Sequence, residues 1–148
     1  MYKNLLVPTD GSKLSDQAVK VAIMLAAALG ARITLFYAMP ADPAPLYAES
    51  AVMAAYVPPE VFKEQVSRFA ARALAKAAGK AMAAGVKVKT LQAASETPFA
   101  GIVAAAGKHK CDLIVMASHG RRGLSGFLLG SETQKVLAHS KVPVLVVR

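Results

Sequence analysis

The sequence has no tryptophan, one cysteine and no apolar run as long as a membrane span. The single cysteine, Cys111, cannot form a disulfide within the chain, and its place beside an apolar segment favours a small buried core residue. The most apolar stretch, Val19–Leu29, is interrupted near its start by Lys20. The first residues resemble a strand and lack a secretory signal pattern. We therefore expect a cytoplasmic protein without a membrane segment.

Acidic residues are also few, since nine Asp and Glu stand against 18 Lys and Arg and give a formal net charge of +9. This excess favours acidic partners, including nucleotides, nucleic acids and anionic surfaces, without choosing among them. Four cations, Arg68, Arg72, Lys76 and Lys80, recur every four residues and share one broad side of a helix. Such a row is more often a solvated helix face than a nucleic-acid surface, so binding to nucleic acid is not expected.

Strand-like apolar segments alternate with segments whose apolar residues recur at helical spacing. The length of 148 residues is typical of one domain. Strands are predicted at residues 3–8, 33–38, 86–91, 113–116 and 142–147, and helices at 13–29, from 59 to a stop at Gly85, at 98–108 and at 132–139. This alternation predicts one α/β domain over residues 1–148, with an open parallel five-stranded sheet and helices on both faces. Residues 47–56 are left open as a short helix or a mobile segment.

Residues that cap helices mark several of these boundaries. Ser12 and Gly30 fit the two ends of the first helix, and Thr97 fits the start of the third. For the last helix, a capping box is predicted, with Ser131 at the N-cap and Gln134 three residues later. For the long second helix, large apolar residues predict the buried face: Phe62, Val66 and Phe69, followed by Ala73 and Ala77.

A glycine-rich loop joins the apolar segment Leu113–Met116 to the last helix, and Gly120 and Gly130 bracket it. Glycine lets backbone N–H groups approach an anion, and a helix start adds unpaired donors and a partial positive charge. The strand–loop–helix order therefore predicts a phosphate or nucleotide site. The alternative is a flexible crossover whose glycines only turn the chain.

Four motifs make the chain similar to the universal stress protein family over essentially its full length. They are Val7–Ser12, His119–Leu124, Leu129–Ser131 and Val142–Val147. The resemblance implies a Rossmann-like fold of the adenine nucleotide alpha hydrolase type and a homodimer. One branch of that family binds ATP through Gly, two residues, Gly, nine residues, Gly, then Ser or Thr. Another branch lacks this pattern and is not expected to bind ATP.

The present sequence matches the ATP-binding pattern except at its first position. Gly120 and Gly130, with nine residues between them, and Ser131 fit the pattern, whereas Ala117 replaces its first glycine. The methyl group of Ala117 would crowd the ligand or shift the backbone slightly. Because alanine is the smallest change available, we expect ATP, or ADP or AMP, to bind, with or without Mg²⁺.

The resemblance also assigns the residues around the nucleotide. Those beside adenine and ribose would be Pro8, Thr9, Asp10, Ala38 through its backbone, and Met116, and those around the phosphates Ala117, His119, Gly120, Gly130, Ser131 and the backbone N–H of Glu132. The Glu132 carboxylate would repel phosphate unless its side chain points to solvent. Without a ligand, Asp10 would be a turn residue and Ser131 a helix cap. Arg121 and Arg122 would either screen phosphate charge or stay solvated.

Catalysis has little support in the sequence. His119 is not accompanied by a Ser/His/Asp arrangement or by metal-ligand spacing, and no Gly-Lys-Ser or Gly-Lys-Thr completes a P-loop. His109 and His139 lie near predicted helix C-termini, where the helix dipole explains them. We expect no catalytic residue and no metal site, and at most weak ATP hydrolysis or self-phosphorylation.

The last strand predicts the dimer contact. Both of its faces are apolar, and as the final strand it is expected at a free edge, where pairing with the same strand of a second chain would cover it. Pro143 should then lie at the start of that strand. The leading hypothesis is a dimeric, nucleotide-dependent stress sensor or regulator. The rival is a dimeric interaction module of the same family that binds no nucleotide.

Overall fold

The computed structural model describes residues 1–41, 58–120 and 129–148. The strands are β1 Asn4–Pro8, β2 Arg32–Pro40, β3 Val88–Ser95, β4 Leu113–Ala117 and β5 Val144–Val147. The helices described are α1 Lys13–Leu29, α2 Pro59–Ala83, α3 Pro98–Lys108 and α4 Ser131–His139. The predicted α/β fold is confirmed, although β2 and β3 end later than predicted and β3 and β5 begin two residues later than predicted. The segment 47–56 lies outside the described residues.

All strand pairs of the sheet are parallel, in the order β3-β2-β1-β4-β5. The chain builds outward from β1 to β3 and then crosses to the other side of β1 for β4 and β5. The topological switch point therefore lies between the carboxyl ends of β1 and β4, where ligands bind in open sheets of this kind. The loops that leave these two strands contain Asp10 and Gly120, two of the predicted site residues.

Helices cover both faces of the sheet, as predicted. One face carries Leu5, Val7 and Leu35 against α1 and α2, and the opposite face carries Leu6 and Phe36 against α3 and α4. Alternate residues of a strand point to opposite faces, and both faces are buried, so β1 reads as a continuous apolar run. Because helices cover both faces, polar groups that contact a ligand are expected at the ends of the strands.

The buried face of α2 agrees with the prediction at Ala77, whereas Phe62, Val66, Phe69 and Ala73 are not among its buried residues. It is formed by small residues and one leucine, with Ala70, Leu74 and Ala77 buried, whereas Phe69 is 38% exposed. Alanines let the helix backbone approach the sheet closely, which large rings would prevent. The ring of Phe69 instead meets Tyr37 edge-on, with centroids 6.1 Å apart.

Most predicted helix ends are confirmed. The Ser12 hydroxyl accepts the N–H of Ser15 at 3.2 Å, and Gly30 has the left-handed φ of 64° that favours glycine after a helix. Thr97 is the N-cap residue of α3, followed by Pro98 in its first turn. Pro143 immediately precedes β5, as expected, and its carbonyl accepts the N–H of Ile114.

The capping box predicted for α4 is wrong. Gly130, not Ser131, is the N-cap residue, and its carbonyl accepts the N–H of Gln134 at 3.0 Å. The Gln134 side chain donates to the carbonyl of Leu129 at 2.7 Å rather than reaching back to the N-cap. The helix begins one residue earlier than predicted because the N–H of Gly130 is held by the carbonyl of Ser118.

Strands β3 and β5 are the two edges of the sheet, and the edge position predicted for the last strand is confirmed. The edge strand β5 is only partly covered, since Val144 and Val147 pack against the two cores whereas Leu145 is 39% exposed. Cys111 is buried, and this burial raises the pKa of its thiol. Within the described ranges, no helix combines the length and apolar character needed to cross a membrane.

Candidate functional site

The turn after β1 is built by side chains that bond to the backbone. Asp10 Oδ1 accepts the N–H of Ser12 at 2.9 Å, and Thr9 Oγ1 accepts the N–H of Gly11 at 3.2 Å. The buried hydroxyl of Thr9 also meets that of Ser15 at 3.1 Å. The turn role proposed for Asp10 is therefore present. The side chain of Thr9 faces α1, so only its backbone remains for contact beyond the strand end.

Three hydrogen bonds close the base of the glycine-rich loop. The N–H of Ser118 donates to the carbonyl of Val147 at 2.8 Å, and the N–H of Gly130 donates to the carbonyl of Ser118 at 2.8 Å. The Thr133 hydroxyl donates to the carbonyl of Ala117 at 3.1 Å. These bonds fix the start of α4 beside the end of β4. The sequence analysis did not identify Thr133 as a residue of this site. The feature that could have indicated it is a hydroxyl side chain in the first helical turn after the loop.

The two glycines of the motif lie close to neighbouring residues. A Cβ on Gly120 would lie 2.6 Å from Asp10 Oδ2, and a Cβ on Gly130 would lie 3.0 Å from the Cβ and 3.1 Å from the Cα of His119. Gly130 has a φ of −60°, which any residue adopts. Its role is therefore to let α4 pack against the residues that follow β4. Gly120 in turn lets the carboxylate of Asp10 approach the loop across the switch point.

Helix α4 begins without a side-chain cap. Its N-cap residue, Gly130, has no side chain to offer, and none of the described residues supplies a capping hydrogen bond from a side chain. The first N–H groups of a helix have no partner inside it and carry its partial positive charge. The backbone N–H groups of Ser131 and Glu132 belong to this first turn, and Ser131 is exposed.

The Glu132 side chain is 34% exposed, but its carboxylate is held by two donors of the protein rather than directed freely to solvent, as the sequence-based condition required. Its Oε2 accepts the N–H of Phe99 in the first turn of α3 at 2.8 Å, and its Oε1 accepts Lys135 Nζ at 3.2 Å. The carboxylate thus caps a different helix, and a lysine balances its charge. Lys135 also lies over the Phe99 ring, which stacks on His139 with centroids 5.2 Å apart.

Other predicted site residues occupy distinct positions. Met116 is buried in the core beneath α3 and α4, and Ala117 is the last residue of β4 and 8% exposed. Ala38 lies two residues past Phe36, whose carbonyl accepts the N–H of Thr9. Backbone groups alternate in direction along a strand, so the N–H and carbonyl of Ala38 point past the end of β1. The His119 ring meets the neighbouring Ser118 hydroxyl at 3.3 Å.

The row of cations on α2 is largely neutralised by neighbouring acids. Lys76 and Lys80 both donate to Asp16 Oδ2 at 3.1 Å and so join α2 to α1, and Arg68 pairs with Glu64 one turn away. The row is thus an exposed face with its own counterions. Arg121 and Arg122 lie outside the described residues. Across those residues, no group of three potential metal ligands is found.

Comparison with known proteins gives one consistent family. The model of the universal stress protein family matches residues 1–148. Universal stress protein MJ0531 of Methanocaldococcus jannaschii is 36% identical over 100% of this chain and 83% of its own length. A universal stress protein of Thermus aquaticus is 35% identical over the whole of both chains.

Solved structures agree with the sequence relatives. The hypothetical protein MJ0577 superimposes with a TM-score of 0.82 at 28% identity, over 99% of this chain and 96% of the other. A universal stress protein crystallised in complex with cAMP superimposes with a TM-score of 0.68 at 30% identity, over 99% and 97% of the two chains. With its parallel sheet, glycine-lined switch point and full-length family match, this chain belongs to the universal stress protein family.

Proposed function

We propose that this protein binds an adenine nucleotide, with ATP as the first candidate, in the crevice between the carboxyl ends of β1 and β4. The observation that carries this proposal is the start of α4 at Gly130, beside Gly120 and Asp10, where none of the side chains that the structure describes caps the helix. A helix N-terminus of this kind attracts phosphate through its free N–H groups and its dipole.

The phosphates would lie against the first turn of α4. The backbone N–H groups of Ser131 and Glu132 would donate to them, and the Ser131 hydroxyl would add a donor from an exposed position. The Glu132 carboxylate does not oppose this arrangement, because both of its oxygens already accept hydrogen bonds from Phe99 and Lys135. ADP and AMP offer the same chemistry with fewer charges.

The nucleoside would lie across the ends of β1 and β2. Ala38 would present its backbone N–H and carbonyl to the adenine edge, which carries both acceptors and a donor. Asp10 would accept a hydrogen bond from a ribose hydroxyl, with its carboxylate oriented by the N–H of Ser12. The universal stress protein crystallised with cAMP, at 30% identity, supports an adenine ligand for this fold.

Calorimetry with ATP, with and without Mg²⁺, tests the proposal. We expect binding by the unmodified chain and at least a tenfold loss for Gly130→Val, whose branched side chain would block the helix N–H groups. The control is Gly107→Val, since a Cβ at Gly107 in α3 meets nothing within 4 Å. Absence of binding by the unmodified chain, or full affinity in folded Gly130→Val protein, would contradict the proposal.

Ala117 favours a second candidate, a family member that works as an interaction module without nucleotide. Its methyl group occupies the end of β4 beside the loop base, where the ATP-binding pattern has glycine. The variant Ala117→Gly separates the two functions. If only this variant binds ATP, the methyl group prevents binding and the interaction module is the better description.

In either function we propose a cytoplasmic homodimer that pairs through β5 and acts as a stress-response sensor or regulator. The strand is a sheet edge, and Leu145 is 39% exposed on it. Pairing would cover this apolar side chain and the open backbone groups. In light scattering, we expect Leu145→Lys to be a monomer and Met24→Lys, altered at an exposed position on α1, to remain a dimer. An unmodified chain that is monomeric at micromolar concentration would rule out the dimer.

A further inference from the structure

The amino end of the sheet, opposite the glycine-rich loop, contains a cavity of about 300 Å³. Its lining includes Arg32 and Thr34 of β2, Lys89 of β3, Lys87 just before that strand, and His109 just after α3. No acidic side chain is found in the lining that the structure describes. The cavity thus brings together three permanent cations and an imidazole from three separate segments of the chain.

The register of the strands explains why these cations meet. Thr34 pairs with Lys89, and the N–H of Ile33 donates to the carbonyl of Lys87, so the two lysines lie beside β2. Ile33 and Val88 pack into the core beneath α1 and α2, and residues adjacent to them in sequence point to the other face. On that other face α3 ends at Lys108, which leaves the amino ends of β2 and β3 open.

The floor of the cavity is rigid and polar. Buried Thr34 donates through its hydroxyl to Asn4 Oδ1 at 3.0 Å, and buried Asn4 donates through Nδ2 to the carbonyl of His109 at 3.0 Å. This chain of hydrogen bonds ties β2, β1 and the segment after α3 together. The cations are thus mounted on fixed backbone at the rim of a preformed cavity.

Within the described parts of the chain, no carboxylate forms an ion pair with the cations of the rim, Arg32, Lys87 and Lys89. The nearby Asp112 accepts the backbone N–H groups of Lys3 and Asn4 and forms no ion pair with these cations. Partial burial, followed by the positive charges of Lys89 and Lys108, lowers the pKa of His109. Like charges that line one cavity repel one another, and a bound anion would relieve the repulsion.

We propose that this cavity, defined by Arg32, Lys87, Lys89 and His109, binds a small polyvalent oxyanion of the phosphate class. Arginine and lysine are the side chains that bind such anions, arginine through two parallel donors and lysine as a point charge. A volume of about 300 Å³ accommodates a pyrophosphate-sized group. The site is separate from the nucleotide crevice, since it lies at the opposite ends of the strands.

Titration calorimetry with inorganic pyrophosphate at constant ionic strength tests the proposal, with inorganic phosphate as the smaller probe. We expect Arg32→Gln and Lys89→Gln each to weaken pyrophosphate binding about tenfold, the loss of one charged hydrogen bond. Lys89→Arg should retain binding. Lys20→Gln is the matched control, since it removes the same charge from an exposed position on α1, which covers the other face of the sheet.

Two further measurements separate this site from the nucleotide crevice. Pyrophosphate should raise the pKa of His109, measured by NMR titration of its ring, and Gly130→Ala, altered in the nucleotide crevice, should leave this effect of pyrophosphate on His109 unchanged. A phosphorylated sugar titrated in parallel distinguishes a site for free pyrophosphate from one that accepts phosphate esters. The proposal is overturned if pyrophosphate does not bind, if Lys20→Gln weakens binding as much as Lys89→Gln, or if Gly130→Ala alone abolishes it.

Discussion

The two ends of the sheet are both suited to anions but use different chemistry. At the carboxyl end, the backbone N–H groups at the start of α4 receive no side-chain cap from the N-cap residue, because Gly130 has no side chain. At the amino end, the side chains of Arg32, Lys87 and Lys89 surround a cavity over a hydrogen-bonded floor. The proposed site at the carboxyl end depends on a glycine without a side chain, whereas the proposed site at the amino end depends on long charged side chains.

This difference has consequences for specificity. Backbone donors on a helix are fixed in direction and tolerate little steric change, so they select the shape of a ligand. Lysine and arginine side chains are flexible and act mainly through charge, so they select ionic valence and respond to salt. We therefore expect substitutions at the carboxyl end to act through sterics, and those at the amino end through electrostatics.

The largest effect on stability is expected from adding one methyl group at the carboxyl end. Gly130→Ala places a Cβ 3.0 Å from His119 Cβ and 3.3 Å from the carbonyl oxygen of Ser118, and should cost about 1–3 kcal/mol of unfolding free energy. Gly107→Ala, in α3 with open space around its Cβ, should stabilise by up to about 1 kcal/mol. Urea denaturation measures both, and equal effects would remove the steric basis of the comparison.

A smaller effect on stability is expected from Glu132, whose carboxylate lies in the first turn of α4 but caps the start of α3. Glu132→Ala removes the carboxylate that accepts the N–H of Phe99 at the start of α3, and should cost about 1 kcal/mol. Glu132→Gln retains an acceptor oxygen and should restore most of this stability. If Glu132→Ala is as stable as the unmodified chain, its carboxylate does not cap α3 in solution and is free to oppose phosphate at α4.

An ion pair between α1 and α2, outside the two proposed sites, provides a baseline for electrostatic effects. Burial by itself raises the pKa of Asp16, but hydrogen bonds and charges from Lys80 and Lys76 outweigh it, so the pKa is lower than usual. Stability from a lowered carboxyl pKa is present above the unfolded value and is lost as pH falls through the folded value. Asp16→Asn should therefore cost about 0.5–1 kcal/mol at neutral pH. It should also flatten the acid limb of the stability profile, and an unchanged limb would contradict the pairing.

The smallest expected effect concerns the amino end without any ligand. Lys89→Gln removes one of the charges that lower the pKa of His109, so the pKa should rise toward its ordinary value. Lys20→Gln, on the opposite face, should leave it unchanged. An NMR titration of the His109 ring measures both. The same value in all three proteins would mean that Lys89 and His109 are not close in solution.

The sequence predicted the carboxyl end far better than the amino end. The spacing of Gly120 and Gly130 is a local pattern, and the strand before it and the helix after it are local too. The cavity residues come from positions 32, 87–89 and 109, and only the register of β2 and β3 brings them together. This register joins residues that are far apart in the sequence, so no local sequence pattern indicates it.

Errors of sequence reasoning also have physical causes. Ser131 was placed at the N-cap because serine is a common cap, but the hydrogen bond from Gly130 to Ser118 starts α4 one residue earlier. The side chain of Glu132 was considered only against solvent, because Phe99 is distant in sequence and its free N–H at the start of α3 is a tertiary feature. Large rings were assigned to the buried face of α2, where close packing on the sheet requires alanine.

Amide NMR with ATP tests the central claim most directly, since it maps where the nucleotide binds on the chain. The account predicts that ATP shifts the amide signals of Gly11, Gly120, Ser131 and Glu132 at the carboxyl ends of β1 and β4. The signals of Arg32 and Lys89 should change only when a second, weaker phosphate site fills at higher concentration. Shifts confined to Arg32, Lys89 and His109, or no shifts at millimolar ATP, would contradict the account.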